Sequence, residues 1–179
     1  MSGTVVITGV SGGIGRATAE LFARSGYTVY GLSRRAGDIE GVRYISTDVT
    51  AEASVKSAFE RIKSEAGAID ILINNAGFGI SGATEFTSLE DAKRLFDVNF
   101  FGGFLCSKYA IPLMREKGGR IINISSAAAI FSIPFQSFYS ASKAAVNSLS
   151  MALSNELKDF GISVTALMPG DARTGFTAA

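Results

Sequence analysis

Tyr139 and Lys143 stand four residues apart in a stretch patterned for a helix, a spacing that sets two side chains on one face with Cβ atoms about 5–6 Å apart. A free phenol loses its proton at about pH 10, so at neutral pH it is a poor base. A neighbouring ammonium favours the phenolate. Bringing a phenol close to neutrality takes roughly 4 kcal/mol of differential stabilisation. One lysine at contact distance in a partly dry cleft supplies much of that, and a bound cation more. The pair is a candidate proton donor and acceptor. Alone, such a pair usually just covers a helix surface, so the weight falls on the elements that would position it.

Composition narrows the chemistry. Of 179 residues, 47% are apolar and 18% charged, which suits one globular domain with a sizeable core. A net charge of +1 argues against a nucleic-acid or membrane-surface role resting on bulk electrostatics. No apolar run has the length of a membrane helix. Met1-Ser2-Gly3 leads straight into an apolar strand pattern without a basic n-region, so the expected location is cytoplasmic. Histidine is absent and Cys106 is the single cysteine. That removes histidine triads, an intrachain disulfide and the common metal cages; no metal site is expected. Cys106, in an apolar helical run, reads as a core thiol. Acid–base chemistry falls to Tyr, Lys, Asp or Glu.

Residues 4–8 read as a buried strand ended by glycine. The turn Gly9-Val10-Ser11-Gly12-Gly13-Ile14-Gly15 follows, then an amphipathic helix over about 16–25 closed by Gly26. Further strands are expected at 28–32, 41–47, 70–73, 120–124 and 162–168. One helix is expected over 53–66, capped by Thr50. Another opens at Thr87-Ser88-Leu89-Glu90, which has capping-box spacing, and continues with a break through Asn99 and Gly102-Gly103 to about 117. A last helix carries Tyr139 and Lys143 to about 160. Strands alternating with helices of this length imply a parallel sheet with right-handed crossovers. The expected fold is a single doubly wound α/β domain over 1–179, three layers deep.

In such sheets ligands bind beyond the carboxyl ends of the strands, near the switch in strand order. The unusual residues all fall there. Gly9 permits a tight turn, and Gly13 and Gly15 let backbone approach a pyrophosphate at a positive helix N-terminus. The plain alternative is a tight turn with no ligand. Ser33-Arg34-Arg35 occupies the place where an acidic residue would hold a ribose 2′-hydroxyl; an arginine there suits a 2′-phosphate, favouring NADP(H) with NAD(H) possible. Arg34 is the first candidate, Ser33 adds a hydroxyl, and Arg35 could substitute; a solvated loop arginine is the competing reading. Asp48 is placed either for an adenine amino group or for a turn. Asn74-Asn75-Ala76-Gly77 and Ser125-Ser126 could be turn and strand-end chemistry, and Asn99 is a poor helix former inside a helical run.

Together these residues resemble the short-chain dehydrogenase/reductase family, in its main shorter-chain branch. Thr8-Gly9-x-x-x-Gly13-Ile14-Gly15 resembles the family's cofactor motif, and Asp48-Val49, Asn74-Asn75-Ala76-Gly77, Asn99, Ser126, Tyr139-x-x-x-Lys143 and Pro169-Gly170 match in order and spacing over essentially the whole chain. Ser126 is preferred to Ser125 because it precedes Tyr139 by thirteen residues. The resemblance implies a Rossmann-type fold and direct hydride transfer between NADP(H) and a ketone or secondary alcohol. Tyr139 would donate or remove the hydroxyl proton, Lys143 would favour its phenolate and bind the nicotinamide ribose, and Ser126 would hydrogen-bond the carbonyl oxygen. Asn99 would hold a water in a proton relay to Lys143. Cofactor contacts would come from the Gly9 turn with Ser11 and Ile14, from Ser33, Arg34, Arg35, Asp48 and Val49, and from Asn75, Ala76 and Gly77. Pro169, Gly170 and Thr174 would complete them, Thr174 at the nicotinamide carboxamide.

Two features depart from the family's pattern. Ala127-Ala128-Ala129 stands where a glycine often follows the serine pair, and the chain stops at Ala179, where the family usually continues through a substrate loop, a helix and a seventh strand. The expected partners are a small carbonyl or alcohol substrate and further copies of the chain, as a homodimer or homotetramer. A nicotinamide-sensing regulator needs the Gly9 turn but not Tyr139 and Lys143. A truncated, inactive scaffold is the third reading.

Overall fold

The structure, a computed structural model, describes residues 3–35 and 37–171. Short aliphatic and β-branched runs form six strands: β1 (Thr4–Thr8), β2 (Thr28–Ser33), β3 (Val42–Ser46), β4 (Ile71–Asn74), β5 (Gly119–Ile124) and β6 (Ile162–Leu167). Every pairing is parallel, in the order β3-β2-β1-β4-β5-β6. The crossovers are α1 (Gly13–Arg24), α2 (Glu52–Ala66), α3 (Leu89–Phe96) with α4 (Gly102–Met114), and α5 (Ser137–Glu156). The chain runs outward from β1 to β3 and then returns to β4, so the strand order switches between β1 and β4. That switch leaves a crevice at the carboxyl edge.

Both faces of the sheet are covered, which is why its strands read as continuous apolar runs rather than alternating ones. Val5, Ile7, Val29 and Ile73 pack with Ala19 and Phe22 of α1. Val6, Tyr30, Leu32, Leu72 and Ile121 pack on the other face with Phe59 and Ile62 of α2, Cys106 and Met114 of α4 and Leu153 of α5. Cys106 is the expected core thiol, its pKa pushed up to about 12 by burial. Among the described residues no helix is long and apolar enough to cross a membrane, and no cluster of three or more metal-ligating side chains occurs.

Helix starts depart from expectation for local reasons. α1 begins at Gly13, so Gly13, Ile14 and Gly15 form its first turn rather than a loop before it. Thr50 does not cap α2: its N–H and hydroxyl both donate to Asp48 Oδ1, at 3.0 and 2.8 Å, and Ala51 takes the cap position. The capping box before α3 sits one residue later, with Ser88 Oγ accepting from Asp91 N at 3.0 Å. The expected break is a π-helical turn, Asp97–Phe101, centred on Asn99. Gly102 is not part of that break; a Cβ there would come within 2.8 Å of Val49 Cγ2, so it lets α4 close onto the core.

Candidate active site

The site is assembled from strand ends. Thr8, last in β1, accepts at Oγ1 the backbone N–H groups of Asn75 and Ala76, each at 2.9 Å. Asn75 Nδ2 donates in return to the carbonyls of Thr8 and Gly9, at 3.0 and 3.1 Å. The turns after β1 and β4 are thereby tied across the switch point. Gly9 has φ +71°, and a Cβ on it would fall 2.8 Å from Ala76 Cα. Gly15 has a packing reason beyond phosphate access: a Cβ would lie 2.3 Å from both Gly9 O and Asn75 Nδ2.

Ser11, Gly12 and Gly13 are exposed. No side chain caps the N-terminus of α1, and its first turn holds no acidic residue. Uncapped amides at the positive end of a helix suit an anion. Beyond β2, Arg34 and Arg35 are exposed, while the Ser33 hydroxyl donates to the Arg35 carbonyl. Asp48 takes the turn role: bonds from Thr50, with the Arg34 charge adding, hold its carboxyl below the usual range. Val49 is buried, its side chain in the core. This edge offers a backbone turn, an uncapped helix end and two exposed arginines, features that suit a dinucleotide's phosphates.

Asn99 is 4% exposed. Its Oδ1 accepts Phe78 N–H at 2.9 Å, and its Nδ2 donates to Phe78 O at 2.9 Å and to Ser142 Oγ at 3.2 Å. Ser142 Oγ in turn donates to Tyr139 O at 2.8 Å. A π-turn residue thus clamps the segment after Gly77 and reaches α5 between Tyr139 and Lys143. Gly77 fills the space between: a Cβ there would meet Asn99 Oδ1 at 3.1 Å and Lys143 Nζ at 3.5 Å.

Lys143 is 4% exposed, and its Nζ donates to the Ile124 carbonyl at 2.8 Å. It lies 5.9 Å from the centroid of the half-buried Tyr139 ring. Burial lowers its pKa from 10.5 to about 8. The serine pair divides its work. Ser125 is buried and its hydroxyl donates to Lys143 O at 3.1 Å, which anchors α5 on the sheet. Ser126 is only half-buried, and its Oγ accepts Ala128 N–H at 3.2 Å. The 3₁₀ turn after it (Ala127–Ala129) packs on α5, and Ala127 N–H donates to Pro169 O at 3.0 Å. Gly170 follows in open space. Thr174 lies outside the described residues.

Beneath this layer runs a buried amide ladder. Asn74 pairs in register with Asn123 on β5, its Nδ2 donating to Asn123 Oδ1 at 2.8 Å and to Ser107 Oγ of α4 at 3.0 Å. Asn123 Nδ2 donates to Ser150 Oγ of α5 at 2.8 Å. From the sequence, Thr8 entered only as the first residue of the cofactor motif, and Ser107, Ser142 and Ser150 were given no part in the site. The signal available was four small hydroxyl residues placed in apolar patterns.

A family model described as short chain dehydrogenase matches residues 3–179, and the chain belongs to that family. A relative from Bacteroides thetaiotaomicron, 3-ketodihydrosphingosine reductase, is 46% identical over 97% of this chain, which spans 65% of that protein's length. The 3-ketoacyl-(acyl-carrier-protein) reductase of Brucella melitensis, solved with NADH, superposes with a TM-score of 0.93 at 32% identity, over 98% of this chain and 78% of that one. ElxO, solved with NADP, gives a TM-score of 0.92 at 31% identity, over 97% and 75%.

Proposed function

We propose that this chain carries the cofactor and proton-transfer site of an oxidoreductase that interconverts a ketone and a secondary alcohol with NADP(H). The observation that carries this reading is the ammonium of Lys143, buried against a neutral carbonyl and held beside Tyr139. Burying a lysine is unfavourable, and a protein that only binds a dinucleotide has no need of it. Homologous structures holding NADH and NADP support a nicotinamide cofactor. A relative named as a ketone reductase supports the carbonyl substrate.

A bound nicotinamide dinucleotide supplies or takes the hydride. The chain's residues handle the oxygen. Ser126 Oγ donates to the substrate oxygen and fixes the carbonyl. As the carbon gains hydride, Tyr139 passes its hydroxyl proton to that oxygen, and alcohol oxidation reverses the transfer. The Lys143 ammonium stabilises negative charge developing at the phenol oxygen and refills the proton. The Asn99 clamp keeps residues 77–78 against this pair, and Asn99 is assigned the water of the proton relay to Lys143. Arg34, with Ser33 and Arg35, receives the 2′-phosphate. Pro169, Gly170 and Thr174 are assigned to the nicotinamide end. The substrate is a small carbonyl compound or alcohol.

The test uses the full-length protein, steady-state turnover with NADPH and NADH over a carbonyl panel, and the exchange Arg34→Asp. NADPH should be preferred, and the exchange should cut kcat/KM for NADPH by about 100-fold, while NADH is spared. Cofactor oxidation with no carbonyl of the panel contradicts the activity; an unchanged preference contradicts the role of Arg34.

A further inference from the structure

Between Ser126 and Tyr139, residues 127–138 contain no charged side chain. Within them Ile130, Phe131, Ile133 and Phe135 are 60%, 75%, 44% and 67% exposed. Scattered exposed apolar residues are ordinary, but a contiguous cluster marks a surface that something covers. The cluster is held in shape. The N–H groups of Ile130 and Phe131 both donate to Ala127 O at 3.0 Å, and Gln136 N–H donates to Ile133 O at 3.1 Å. Ile133 N–H reaches Ser140 Oγ on α5 at 3.4 Å. Phe135 is the one non-glycine residue among those described with a positive φ, +65°. That conformation is strained for an aromatic residue and persists only where surroundings impose it.

The imposing contact comes from across the crevice. Gly82 N–H donates to Phe135 O at 2.8 Å, and Thr84 Oγ1 pairs with Ser137 Oγ at 2.8 Å. Residues 77–84, which follow the Asn75 turn, also lack charge, and Phe86 just beyond them is 84% exposed. The apolar lip is therefore continuous at one end with Ser126 and at the other with Tyr139, and it faces a second uncharged segment. Of the polar side chains in 127–138, Ser137 is engaged with Thr84, leaving Ser132 and Gln136 to serve a polar ligand. That is thin provision for a sugar or an amino acid, which needs its polar groups matched.

Resting on the ketone–alcohol reading above, we infer that Ile130, Phe131, Ile133 and Phe135 bind the substrate's tail, and that the substrate is a ketone or secondary alcohol flanked by a long alkyl chain. The carbonyl sits at Ser126 and Tyr139, and the chain lies along the lip. Chain length, rather than polar recognition, sets specificity.

The experiment compares the 2-alkanones from butan-2-one to dodecan-2-one with the intact protein at saturating NADPH. For wild type, kcat/KM should rise roughly fourfold per added methylene until the lip is covered. In the double variant Ile130→Ser, Phe131→Ser, both sites being exposed, the ratio of kcat/KM for decan-2-one over butan-2-one should fall at least tenfold. Matching thermal unfolding of the two proteins confirms that the fold is kept. A flat series in wild type, an unchanged ratio in the variant, or faster turnover of an aldohexose than of any alkanone overturns the inference. If no ketone is turned over, the functional reading itself has failed. Calorimetric titration of the cofactor-loaded protein with the same alkanones then decides the lip: affinity growing with chain length and lost in the variant upholds it, and length-independent binding overturns it.

Discussion

Lys143 is an unfavourable residue to build. With burial moving its pKa from 10.5 to about 8, the folded chain releases this proton more readily than the unfolded one. Between about pH 8 and 10.5 the unfolded state binds more protons, so the lysine's contribution makes stability rise with pH across that window. Below pH 8 the penalty is present in full, at most about 3 kcal/mol. Lys143→Met should therefore stabilise the protein at pH 7 by about 1–3 kcal/mol, flatten the rise toward pH 10, and abolish turnover. Urea denaturation at the two pH values checks this; a less stable variant at pH 7 contradicts it. Gly9, Ser126, Tyr139 and Lys143 were legible as residues that follow strand ends, because strand and helix patterning places them there. Ser126 was set apart from Ser125 by its thirteen-residue spacing to Tyr139, a feature of the family resemblance, but the anchoring contact of the buried Ser125 with Lys143 O was not legible.

At the scale of elements, α5 is held to the sheet by polar contacts as well as apolar ones. Ser125 bonds Lys143 O, and the Asn74–Asn123–Ser150 ladder pins α5 one layer down. Asn123→Leu would remove one bond at Asn74, which keeps Ser107 Oγ and Gly103 O, and one at Ser150, which keeps Val146 O, each lost bond being about 0.5–1.5 kcal/mol. The expected destabilisation is about 1–3 kcal/mol in urea; a loss below about 0.5 kcal/mol contradicts the ladder's role. Strands and helices were readable from periodicity and glycine punctuation, with ends a few residues off. The π-turn at Asp97–Phe101 was readable only as a break. Its geometry depends on Asn99 meeting the backbone of Phe78, twenty-one residues away in sequence, and no local pattern encodes that meeting. Thr50 misled for a similar reason, since the Asp48 carboxylate competes for its hydroxyl.

For the molecule as a whole, the alternation of strands and helices was enough to fix a parallel sheet, and the sheet's switch in order placed the crevice. What covers the outer surface was not legible, because apolar residues read alike whether they face a core or a partner. Phe101, Phe104 and Met151 are 47%, 41% and 66% exposed on the π-turn, α4 and α5. A homodimer or homotetramer that buries them is expected in sedimentation at micromolar concentration, and Phe104→Asp should shift it toward monomer; a monomeric wild type contradicts the assembly. All of this architecture serves to hold one phenol beside one buried ammonium at the sheet edge. The most direct measurement is Tyr139→Phe in the full-length protein, with cofactor affinity and turnover determined side by side. The expected result is NADPH binding within about twofold of wild type and turnover reduced at least 1,000-fold, in line with about 10²–10⁴ for removal of a general acid. Retained turnover would contradict the role assigned to Tyr139.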